Sequence, residues 1–179
     1  MPDAPWLNAA LQRFEARIAR GQMPQALLVH GPAGIGRRHF GLALAARLLR
    51  SPWRPSLDVS ADTLAGIPHP DYWSVGLEED SRVIKIDQIR ELIQSLSLTS
   101  HRSGWKVGLV WPAELMNHNA ANTLLKTLEE PPAATTLILI ADAPARLPAT
   151  ILSRCERIRL SPPAPSAAPC RHTASPPGP

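Results

Sequence analysis

The chain reads as an α/β protein, a parallel five-stranded sheet sandwiched by helices. Three observations predict this. Short apolar runs alternate with segments of helical period over most of the chain. The first such run feeds a glycine-rich turn that opens a helix. Prolines and glycines punctuate the borders between segments. Strands alternating with helices favour a parallel sheet covered on both faces. The 179 residues, 44% of them hydrophobic, suit one domain with a sizeable core.

The elements follow in order. "PWLNAALQRFEARIAR", residues 5 to 20, repeats apolar side chains at helical spacing through Trp6, Ala9 or Ala10, Phe14 and Ile18. Gly21 and Pro24 end that helix. "ALLVH" is a buried strand bounded by Pro and Gly. A helix follows from about Arg37 to Arg50. The stretch "SPWRPSLDVSADTLAGIPHP", with four prolines, is a loop. "DYWSVGL" and "RVIKI" are strand-like, and Asp87 then starts a helix with Ile89, Leu92, Ile93 and Leu96 on one face. "WKVGLVW" is a further core strand. "NHNAANTLLKTLEE" is a helix stopped by Pro131 and Pro132. "TTLILIA" is the next strand, "LPATILSRC" begins with a short helix, and "RIRL" is the fifth strand. The domain spans residues 1–160. Residues 161–179 carry seven prolines and little apolar beyond alanine, so they are expected to be a disordered tail.

Composition excludes several classes. No 18-residue apolar run exists, so no membrane-spanning helix is expected. The N-terminus carries an early acid and no continuous apolar stretch, unlike a secretory signal. Cys155 and Cys170 supply neither metal-ligand spacing nor a disulfide framework. A reduced, cytoplasmic setting is expected. The net charge of +4 leaves nucleic-acid binding open, but no basic stripe is interleaved with aromatics.

"HGPAGIGRRHF", residues 30 to 40, resembles a phosphate loop with altered chemistry. Gly31 and Gly36 stand five apart, with Gly34 between them, as in Gly-x-x-x-x-Gly-Lys-[Ser/Thr]. A working loop needs backbone N–H groups aimed at phosphates, a Lys on the terminal phosphates and a hydroxyl on Mg²⁺. Here Arg37 holds the lysine position and Arg38 the hydroxyl position. An ordinary Gly-rich turn would also use these glycines. The strand–loop–helix context favours a decayed loop in a P-loop NTPase-like fold. Acids are also expected at the end of another core strand. After "KVGLV" stand Trp111, Pro112 and Ala113, and the nearest acid, Glu114, is expected to face solvent. With Lys, hydroxyl and acids all absent, no Mg-ATP cofactor is expected. His69 lacks companion ligands and reads as structural. Ser153 and Cys155 lack a His and an acid around them, so neither reads as a nucleophile.

In "ILSRC", Arg154 lies between a short helix and the last strand, expected near the carboxyl edge of the sheet. It reads either as a turn arginine or as a finger acting on a neighbour's phosphate. Its accompaniment is the run "NAANTLLKTLEEPPAATTLILIADAPARLPATILSRC", residues 119 to 155. With "HGPAGIG" and "HPDY", this run resembles the bacterial clamp-loader ATPase family of the AAA+ class, and the likeness covers most of residues 1 to 160. A degenerate loop combined with an intact Ser-Arg-Cys motif is similar to the delta-prime branch of that family, within DNA polymerase III.

The resemblance implies an accessory, non-hydrolysing subunit working with gamma or tau and delta subunits, the sliding clamp and primer-template DNA. It implies that Arg154 acts in trans as an arginine finger, with Ser153 and Cys155 supporting its turn, and that its side chain is largely exposed. Two departures stand out. Residues 51 to 68 lack the four cysteines of many delta-prime relatives, so no zinc is expected. The family pattern continues into a helical lid and collar, whereas here a proline-rich stretch follows the core. The competing readings are a divergent ATPase binding through Arg37 and a stand-alone DNA-binding domain.

Overall fold

The computed structural model describes residues 5–51, 67–98, 100 and 104–162. Residues 52–66 of the expected loop at 51–70, Cys170 and nearly all of the expected tail lie outside the described residues. Five strands form one parallel sheet: β1 (Ala26–His30), β2 (Tyr72–Val75), β3 (Lys106–Val110), β4 (Thr135–Ala141) and β5 (Glu156–Arg159). Their order is β2-β3-β4-β1-β5. The helices are α1 (Pro5–Ala19), α2 (Arg37–Leu48), α3 (Ile86–Ser97), α4 (His118–Glu129) and α5 (Ala149–Leu152).

Alternation along the strands builds two cores. Leu27 and Val29 of β1, Val107 and Leu109 of β3, and Ile138 and Ile140 of β4 face α1 and α2. Leu28, Val110, Leu137 and Leu139 face the opposite way, onto α3, α4 and α5. Successive strand side chains point to opposite faces, so a sheet covered on both sides must be apolar at nearly every strand position. β3 and β4 are accordingly buried along their whole length. On one face Phe14 of α1 meets Phe40 of α2 edge to face, with ring centroids 6.5 Å apart. α1 is also tied to β5: Arg17 Nη2 donates to Glu156 Oε2 at 2.9 Å. That hydrogen bond holds the Glu156 carboxyl below its ordinary pKa and raises that of Arg17.

Local chemistry sets the helix borders. α4 begins at Asn117, whose side chain accepts the Ala120 N–H at 2.8 Å. It ends at Glu129, two residues before the first of two prolines. α3 begins one residue earlier than expected, because Gln88 reaches back to accept the Lys85 N–H at 2.8 Å. That start also overturns the expectation of a strand at "RVIKI". Only Ile84 pairs, in a single bridge to Met116, and Ile86 is already helical. β5 is shifted by one residue, covering Glu156–Arg159 rather than 157–160.

Candidate functional site

The phosphate-loop region sits at the carboxyl edge of the sheet. β1 ends at His30, residues 31–36 form the loop, and α2 starts at Arg37. Gly36 takes φ 91°, a left-handed conformation that glycine adopts without strain. Gly31 is required for a different reason. A Cβ there would stand 2.6 Å from the Leu160 carbonyl oxygen, just beyond β5. This glycine therefore serves strand-to-strand approach. At Gly34 (φ 75°) the surrounding space is open.

The two arginines that replace Lys and hydroxyl are engaged inside the chain. The Arg37 side chain turns back over the loop. Its Nη1 donates to the Gly31 carbonyl oxygen, and its Nη2 lies 2.7 Å from Asp142 Oδ1. Asp142 directly follows β4, whose Ala141 is in register with His30, so this acid lies beside the loop. The Arg37 side chain is only 11% exposed. The Arg38 guanidinium lies over the Trp111 ring, 5.1 Å from its centroid. Trp111 directly follows β3, where an acid would hold Mg²⁺ in a working site.

Glu114 corrects an expectation. Its carboxylate does not face solvent: Oε1 accepts the N–H groups of Asp142 and Ala143, both at 2.9 Å, while Oε2 is buried without a partner among the described residues. The turn after β4 leaves two backbone donors unused by the sheet, and a carboxylate one helical turn beyond β3 is close enough to take both. The residues at this edge do not fit a Mg-phosphate group. The compact ammonium and the β3 carboxylate are absent, and the Arg37 guanidinium is engaged by the Gly31 carbonyl and Asp142.

Arg154 occupies the other edge. β5 runs parallel to β1 with Glu156 opposite Leu27, so the residues just before β5 lie at the amino edge of the sheet. The expectation of a carboxyl-edge position fails because the short chain from Asp142 to Cys155, with α5 in it, crosses the full depth of the sheet. The side chain is 37% exposed and is not isolated. Arg154 Nη2 donates to Glu129 Oε1 at 2.7 Å, and Nη1 donates to the Thr150 carbonyl oxygen at 3.1 Å. Ser153 Oγ donates to the same carbonyl at 3.0 Å. Cys155 is buried, and burial pushes its thiol up to about 11, against a smaller downward pull from Arg157. A thiol so protonated is a poor nucleophile.

A profile described as "DNA polymerase III, delta subunit" matches residues 6–164. The chain belongs to that family. It is 42% identical over 157 residues to DNA polymerase III subunit delta' of Pseudomonas aeruginosa, covering 84% of this chain and 46% of that protein. It is 35% identical over 165 residues to the delta' subunit of Escherichia coli, covering 89% and 49%. The chain thus spans about half the length of the curated relatives it matches. Among solved structures, a gamma subunit-related protein of Thermotoga maritima superposes with a TM-score of 0.66 at 24% identity, covering 84% of this chain and 45% of that one. The RuvB Holliday junction branch migration motor of the same organism gives 0.56 at 16% identity, covering 86% and 43%. Both likenesses bear on the fold.

Two participants escape a reading by motif, Asp142 and Glu129, whereas Glu114 stands out in the sequence but with the wrong expected surroundings. Asp142 had a usable signal, since it ends a core strand at the edge where such folds place ligand groups. Glu129 lies within "LEEPP" but shows its link to Arg154 only in three dimensions. His69 serves its own turn, with Nδ1 accepting the Asp71 N–H at 3.1 Å. Among the described residues, no three His, Cys, Asp or Glu side chains gather where they could hold a metal ion. The expected absence of zinc concerns residues 51–68, most of which lie outside the described residues. No described helix is long and apolar enough to cross a membrane.

Proposed function

We propose that this chain acts in a clamp loader as a non-hydrolysing subunit of the delta-prime type, presenting Arg154 to ATP held by a neighbouring gamma or tau subunit. The supporting observation is the separation of the two edges. The chain's own phosphate loop lies at one end of the strands and Arg154 at the other. A strand of five residues spans about 16 Å, longer than an arginine side chain. Arg154 therefore lies out of reach of the chain's own loop, where Arg37 already pairs with Asp142. As the neighbour's γ-phosphoryl group transfers to water, charge spreads over its equatorial oxygens. A fixed guanidinium beside them stabilises that charge without reorganisation. Ser153 and buried Cys155 keep the turn that carries it. Through the assembled loader, with its delta subunit, the chain would help to open the sliding clamp and place it on primed DNA.

Arg154→Ala in a reconstituted loader tests this. The clamp- and DNA-stimulated ATPase should fall partially, because only one of several sites loses its finger. Fingers in some GTPase systems contribute roughly 10³-fold or more at their own site. Arg154→Lys should recover little, since a point charge does not reproduce the planar fork. Wild-type turnover from the Arg154→Ala loader would end the proposal.

A further inference from the structure

Resting on the finger reading, we infer that Glu129 is the positioning residue for Arg154, holding one side of its guanidinium so that the rest is presented ready-oriented to a partner's phosphate. The contacts divide the guanidinium. Nη2 is held by Glu129 at the end of α4, and Nη1 by the Thr150 carbonyl of α5. Nε makes no hydrogen bond among the described residues, and each terminal nitrogen retains a second hydrogen. A guanidinium offers five donors in a rigid fork, so a carboxylate on one side leaves donors on the other for a second anion. The two holders come from different elements, and together they fix the direction of a side chain that otherwise has four rotatable bonds. Freezing it before the neighbour arrives removes an ordering cost from association and from the chemical step.

The placement suits this role. Glu129 is the last residue of α4, two residues before the paired prolines that stop the helix, so its backbone is set by the helix end. Its side chain is 44% exposed, which keeps the pair at the rim, where a second subunit can reach it. Glu130 carries the same charge one residue away and forms no ion pair with Arg154. The two therefore separate contact from general field.

The test uses the full-length subunit in a loader reconstituted with its ATPase subunits, clamp and primed DNA. The quantity read is the Arg154-dependent turnover, wild type minus Arg154→Ala. Glu129→Ala should reduce it roughly two- to tenfold, the lower part of the range of coupling between residues in direct contact. The loss should fall on kcat, with KM for ATP little changed. Glu129→Gln, which keeps an acceptor oxygen, should lie between Ala and wild type, and Glu130→Gln should match wild type. The double variant Glu129→Ala/Arg154→Ala should be no worse than Arg154→Ala alone. Unchanged or raised turnover in Glu129→Ala overturns the positioning role, raised turnover marking the glutamate as a latch that competes with phosphate. So does a double variant well below Arg154→Ala. If Arg154→Ala is itself silent, the finger reading fails and this one fails with it. If Arg154→Ala is deleterious while Glu129→Ala is not, only the positioning role fails.

Discussion

Two arginine pairs at opposite edges of the sheet are both 2.7 Å long: Arg37 with Asp142 at the carboxyl edge, Arg154 with Glu129 at the amino edge. Each arginine also donates to one backbone carbonyl. The difference lies in what remains. Arg37 is 11% exposed and lies across the chain's own loop, whereas Arg154 is 37% exposed and faces outward. Equal contacts can therefore leave one guanidinium mostly buried and the other open at the surface. Burial and direction decide which, because a guanidinium has more donors than two partners consume.

The largest effect expected from breaking this contrast is at Gly31. If the loop glycines persisted only as a remnant phosphate nest, Gly31→Ala would cost little. The approach of Leu160 predicts otherwise. A methyl group 2.6 Å from a backbone oxygen forces β1 and the end of β5 apart. The Leu160 N–H, which donates to the His30 carbonyl at 2.8 Å, lies on the same path. Urea unfolding should show a loss of roughly 1–3 kcal/mol, the usual range for overpacking a close contact. Hydrogen exchange should quicken first at Leu160. Wild-type stability would mean that this edge is looser than described.

The next comparison sets the arginines against each other. Arg37→Ala should cost about 1–2 kcal/mol, because it strips a charged donor from the Gly31 carbonyl and from Asp142 in a mostly buried setting. Arg154→Ala should cost about 0–1 kcal/mol, as exposed pairs do. Thermal or urea melts of the two single variants give the ranking directly. Equal costs, or a larger one at Arg154, would make Arg154 a structural arginine and weaken the case for a trans role.

Periodicity made most of the fold legible. The runs "ALLVH", "KVGLV" and "TTLILIA" are apolar at nearly every position, which only a sheet covered on both faces explains, and they are β1, β3 and β4. "RVIKI" misled because alternation cannot register a side chain three residues ahead. Gln88 caps the Lys85 backbone and draws Ile86 into α3. The glycines and arginines of the loop were also legible as a departure from a motif. Where those arginines went was not. Arg37 finds Asp142, 105 residues away in sequence, and Arg154 finds Glu129, 25 away. Such pairings depend on strand order and register, and no spacing rule encodes them. The edge occupied by Arg154 was misjudged for the same cause, since only the parallel pairing of β5 with β1 fixes which end of the sheet precedes Glu156.

The smallest expected effect concerns the charge balance of the carboxyl edge. His30 ends β1 there, half-buried and opposite Arg159. Burial lowers its pKa most, and the positive charges of Arg159 and Arg157 lower it further. The unfolded chain should titrate this imidazole near the ordinary value of about 6.5. Between the folded pKa and that value, the unfolded state binds a proton that the folded state refuses. Stability should therefore decline as pH falls through about 6.5, with the His30 share fully lost once pH is below the folded pKa. Glu156 acts in the same direction but in a lower window. Its depressed carboxyl pKa sustains stability above the ordinary carboxylate range and loses it only as pH drops through the folded value. Urea midpoints at pH 7.5 and 5.5 separate the two groups. The midpoint should fall between these values in the wild type and fall less in His30→Gln. An identical fall in both proteins would mean that the carboxyl edge tolerates a further positive charge, and that its arginines are less committed to their internal partners than the Arg37–Asp142 pair implies.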